Sequence, residues 1–96
     1  MHLIELLLPA DATYAAKRRA LADDLSKTFG GVTAFNRAPA KGLFEQGGTQ
    51  VKDDIVVFEV MTATLDRAWW ASLRKRLEAE MNQDEIVIRA TSIQRL

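Results

Sequence analysis

Cysteine is absent from this chain of 96 residues, and histidine occurs once, as His2. Without cysteine there is no disulfide framework, no thiol nucleophile and no zinc-thiolate centre. One histidine beside the chain start supplies neither a Ser-His pair nor a multi-histidine metal site. The carboxylates show no metal-ligand spacing, so neither a metal nor another cofactor is expected. A surplus of charge is missing too: thirteen Lys and Arg balance thirteen Asp and Glu. No overall field therefore recruits nucleic acid or an anionic membrane. Long apolar runs are lacking as well. The run Leu3 to Leu8 is too short for a signal segment, carries Glu5 and has no basic flank. No stretch approaches the ~18 apolar residues of a membrane span. These absences describe a soluble, single-domain protein over residues 1–96, expected in the cytoplasm.

What is present is strand and helix periodicity. The stretch Ile55-Val-Val-Phe-Glu-Val-Met61 alternates at the period of a strand. Val56, Phe58 and Val60 face one way; Ile55, Val57, Glu59 and Met61 face the other. Both faces are apolar, as in a central strand, yet one bears a carboxylate. His2 to Leu8 repeats that pattern with Glu5, and Pro9 is expected to stop it.

Asp11 is a candidate N-cap for a helix whose stripe is Tyr14, Leu21, Leu25 and Phe29. Gly30-Gly31 ends that helix, one glycine taking the left-handed C-terminal position. Val32 to Asn36 reads as a short strand. Arg37 to Gln50 is irregular, with Gly47-Gly48 as a hairpin turn and a ribbon returning to residue 55. A second helix starts near Thr64 or Asp66 and runs to about Met81, burying Trp70, Leu73, Leu77 and Met81. Glu85 to Thr91 is the last strand, and the tail still holds Ile93 and Leu96.

The order β-α-β-β-α-β defines a ferredoxin-like α+β fold. The right-handed crossover rule puts the first and third strands side by side, with both helices on one face and strand order 4-1-3-2. The other face then carries Leu3, Leu7, Ile55, Val57, Met61 and Val87. This apolar patch exceeds what a monomer ordinarily leaves wet. A homodimer joined sheet to sheet is the expected consequence; a chain whose own tail folds over the sheet is the alternative.

Glu5, Glu59 and Arg89 share that open face. Desolvation disfavours a charged carboxylate, and a nearby arginine favours it. Two roles fit the trio: an interfacial ion pair that sets how two copies register, or a general acid or base in a pocket with Arg89 stabilising an anion. The glycine-rich ribbon, with Asn36, Arg37 and Lys41, is where a small ligand would be held. Lys17-Arg18-Arg19 and Arg74-Lys75-Arg76 invite a nucleic-acid reading. Acids follow each cluster at helix-pair spacing, and base-stacking aromatics are not expected on the sheet, so nucleic acid is the weaker alternative and not the expected partner.

The phrases Phe29-Gly-Gly-Val-Thr-Ala-Phe35 and Gly42-Leu-Phe-Glu45, followed by the apolar strand at 55–61, resemble a group of short bacterial proteins without an assigned activity. The layout is similar to the dimeric ferredoxin-like, or α+β barrel, group. That group includes cofactor-free monooxygenases, muconolactone-isomerase-like enzymes and ligand-sensing domains. The resemblance implies a homodimer with a cavity, and either small-ligand binding or cofactor-independent isomerase or monooxygenase chemistry. The histidine and asparagine placements of such monooxygenases are not recognisable here.

Overall fold

The computed structural model describes residues 1–37, 45–46, 49–50 and 54–96. Strand β1 spans His2–Pro9, β2 Thr33–Arg37, β3 Glu45–Gln46, β4 Thr49–Gln50, β5 Ile55–Thr62 and β6 Val87–Ser92. Helix α1 spans Ala15–Phe29 and α2 Arg67–Glu80. Four strands form one antiparallel sheet in the order β2-β5-β1-β6. Both helices pack on one side, an α+β arrangement consistent with a ferredoxin-like layout. Counting only its own strands, the sheet runs 2-3-1-4 from the β2 edge, in place of the expected 4-1-3-2. That list starts from the opposite edge; the neighbour pairs it contains are the same.

Alternation decides which side each residue serves. Ile4, Leu6 and Leu8 from β1, and Val56, Phe58 and Val60 from β5, are buried under the helices. Leu21 and Leu25 of α1 meet them, as do Trp70, Leu73 and Leu77 of α2, with Met81 and Ile86. Tyr14 and Phe29, the ends of the expected α1 stripe, pack at the margin, as does Ile88. Among the described residues no helix is long and apolar enough to cross a membrane.

Several boundaries differ from expectation for local reasons. Strand β1 continues through Pro9, one residue past the expected stop. Pairing of β1 with β6 ends at Leu7↔Val87, while pairing with β5 continues to Pro9↔Ile55. The missing N–H of Pro9 would point to the side where β6 has already ended, so the ladder loses nothing. Its carbonyl accepts a hydrogen bond from Arg18 Nη1 at 2.8 Å.

Asp11 does cap, but it caps a 3₁₀ turn over Ala12–Tyr14 that leads into α1, and its Oδ1 accepts from the Thr13 N–H at 2.8 Å. Thr13, through side chain and then backbone, and the charge of Arg18 hold this carboxyl below the usual aspartate range. A depressed folded-state value means that the cap stabilises the chain at neutral pH and weakens as pH falls through that value.

Gly30 ends α1 at φ 83°, its N–H donating to the Ser26 carbonyl at 2.8 Å. Asp66 caps α2 through the Trp69 N–H at 3.1 Å. Asn82 takes φ 50° just beyond α2, a left-handed conformation that asparagine tolerates better than most residues. Strands β3 and β4 pair Glu45 with Gln50 and Gln46 with Thr49; the expected turn at Gly47-Gly48 lies outside the described residues.

The hydroxyl of Thr62 is buried and has no hydrogen-bond partner among the described residues. Valine keeps its shape and removes the stranded polar atom. Thr62→Val should therefore raise unfolding stability by about 1 kcal/mol, read from denaturant midpoints at unchanged m-value.

Candidate functional site

The face of the sheet turned away from the helices is built from odd-numbered residues in register. Thr33, Glu59, Glu5 and Arg89 form one row across all four strands. The next row is Phe35, Val57, Leu7 and Val87. Beyond the first row lie Met61, Leu3 and Thr91. A polar band thus crosses an otherwise largely apolar surface.

The expected trio is brought together. Arg89 Nε donates to Glu5 Oε1 at 3.0 Å, with the arginine side chain 50% exposed and the glutamate 15%. Glu59 sits directly across from Glu5 but makes no ion pair among the described residues. The row therefore contains one satisfied acid, one acid without a cation, and an arginine with half of its surface open to further contact.

The apolar rows are unevenly exposed. Phe35 is 44% exposed, Met61 48% and Val87 42%, while Leu3, Leu7 and Ile55 are half-buried. Val57 departs from the expected patch: it is 1% exposed although it lies on this face and outside the helix-side cluster. A central position between Phe35 and Leu7 shields it, where an edge position would not. Sequence reasoning missed Phe35 and Thr33 as members of this face. Their alternation in Thr33-Ala-Phe35, matched to β5, was the available signal.

The ligand residues expected on the ribbon are placed only in part. Asn36 and Arg37 close β2 by their backbone, opposite Val56 and Ile55. Lys41 lies outside the described residues. The tail does not fold back across the sheet: the Ile93 N–H donates to the Met1 carbonyl at 3.0 Å, prolonging the β6 ladder, and residues 94–96 are exposed.

The basic helix clusters are engaged locally. Arg74 pairs with Glu78 at 3.2 Å and Arg76 with Glu80 at 3.7 Å. Lys17 Nζ donates to the Glu80 carbonyl at 2.6 Å, and Arg18 to the carbonyls of Pro9 and Asp11. Among the described residues no group of His, Cys, Asp and Glu has the arrangement of a metal site. The chain matches no protein-family model and no curated protein.

Proposed function

We propose that the domain works by association, two copies meeting through the open sheet face. The observation that carries this reading is the row Phe35, Val57, Leu7 and Val87, apolar from edge to edge and with both edge residues substantially exposed. Covering several hundred Å² of such surface contributes on the order of 10 kcal/mol at ~25 cal/mol per Å², before the cost of association. The polar band beside it supplies direction. Arg89 has surface left over after pairing with Glu5, and Glu59 has no ion partner among the described residues, so a second copy can offer each a contact.

Sedimentation velocity from low to high micromolar concentration tests this. A dimer is expected, and Phe35→Asp should weaken it at least tenfold while leaving the far-ultraviolet spectrum unchanged. A wild-type chain that stays monomeric throughout would remove the proposal.

Glu59 also favours a second reading. With no ion partner among the described residues, it is the better candidate for a general base in cofactor-independent isomerase or monooxygenase-type chemistry, with Arg89 near a developing anion. Glu59→Gln separates the two. Lost turnover of a small-molecule substrate with association intact speaks for the enzyme; changed association alone speaks for the scaffold.

A further inference from the structure

Strand β6 is an edge, and its hydrogen-bonding phase can be fixed. The Ile93 N–H donates to the Met1 carbonyl, and β1 pairs with β6 in the same register, Leu3↔Thr91 and Glu5↔Arg89. Antiparallel pairs alternate between bonded and non-bonded. Residues 87, 89, 91 and 93 therefore spend their backbone groups on β1. Ile88, Ala90 and Ser92 turn theirs outward, where no strand pairs with them among the described residues.

Along this free ladder, on the helix side, lies an open cleft of about 220 Å³ between β6 and α2. Ile4, Leu65, Trp70 and Ile88 give it an apolar lining. Arg67 and Arg74 border it from α2, and no acidic residue lines it. Arg74 is held by Glu78, whereas Arg67 is exposed and has no ion partner among the described residues. An unpaired ladder beside an apolar cleft is the arrangement by which an extended segment adds to a sheet: backbone bonds hold it, and alternate side chains enter the cleft.

We propose that this edge takes an extended peptide segment of a partner, with an apolar side chain seated in the cleft and carboxylates flanking it toward Arg67 and Arg74. Charge favours an acidic segment over a second β6: Arg67 and Arg74 border the cleft and no acid lines it, while Val87–Ser92 contains no carboxylate to offer them. The site is at the side of the sheet and does not depend on the proposed face-to-face dimer.

The test is a library of random seven-residue peptides screened against the full chain, followed by a selected peptide in hydrogen-exchange NMR. Alternating apolar and acidic residues should be enriched, and the peptide should slow exchange at the Ile88, Ala90 and Ser92 amides at least tenfold. Ala90→Pro removes an outward N–H without touching the β1 ladder and should weaken binding at least tenfold. Arg67→Glu, on an exposed helix position, should do the same and guards against misfolding of the proline variant. No enriched peptide, enrichment without acids, or binding that leaves those three amides unprotected would overturn the proposal. So would protection that rises with protein concentration alone, which would assign the edge to a second copy. Failure of Phe35→Asp to change sedimentation bears only on the sheet face.

Discussion

Leu6→Ala is expected to cost about 3–5 kcal/mol of unfolding free energy, the range for truncating a large buried side chain in a core that cannot collapse around the gap. Leu6 has no exposed surface, and it lies between Phe58 and Ile88 in register under the helix layer. For a domain of this size that is a large part of a total of roughly 5–14 kcal/mol. The midpoint of thermal unfolding should fall by more than about 12 °C. Leu7, the next residue, is the control. It is half-buried on the opposite face, between Val57 and Val87. Its replacement by alanine should cost a separated chain about 1 kcal/mol. In an associating protein the loss from Leu7→Ala should also grow with concentration, since the wild-type reference is then held by its partner. Equal, concentration-independent losses at the two positions would show that the sheet faces are not as different as their packing requires.

That contrast between neighbours shows why much of the fold could be read from sequence. A strand sends successive residues to opposite faces, so Ile4-Glu5-Leu6-Leu7-Leu8 already separates a helix-side set from an outer set. The same logic placed Glu5, Glu59 and Arg89 on one face, since the crossover rule makes β5 and β6 the neighbours of β1. Register was not legible to the same degree. That Glu59 opposes both Glu5 and Thr33, and that Phe35 opposes Val57, depends on where β2 is cut and how the 37–54 connection returns.

Val57 shows a second limit. Alternation gives the face of a residue but not its depth, and a central valine flanked by larger side chains is hidden where an edge valine such as Val87 is not. Pro9 shows a third. Proline is excluded from a ladder only where its missing N–H would have bonded, and that side is known only once the lengths of both neighbouring strands are known.

Glu78→Ala should be the most damaging change at a charged position, with a loss of about 1–3 kcal/mol, because it strands a backbone group as well as a cation. Glu78 Oε2 accepts the Ile86 N–H at 2.9 Å, and its two oxygens each lie 3.2 Å from Arg74 Nη1. The backbone helps at the same corner, where the Gln83 N–H donates to the Glu78 carbonyl at 2.9 Å. Through these bonds the end of α2 fixes the entry to β6, and with it the position of Arg89 and of the outward ladder. Glu78→Gln separates the two contributions. It keeps an acceptor for Ile86 and loses only the attraction to Arg74, a partly exposed pair worth about 0–1 kcal/mol. The order of stability should be wild type, then glutamine, then alanine, with the larger step from glutamine to alanine. Exchange of the Ile86 amide should quicken clearly only in the alanine variant. Added salt should narrow the gap between wild type and glutamine without closing the gap to alanine, since screening weakens an ion pair far more than it weakens a backbone hydrogen bond. If the larger step instead falls between wild type and glutamine, the ion pair and not the Ile86 bond holds β6 to the helix layer.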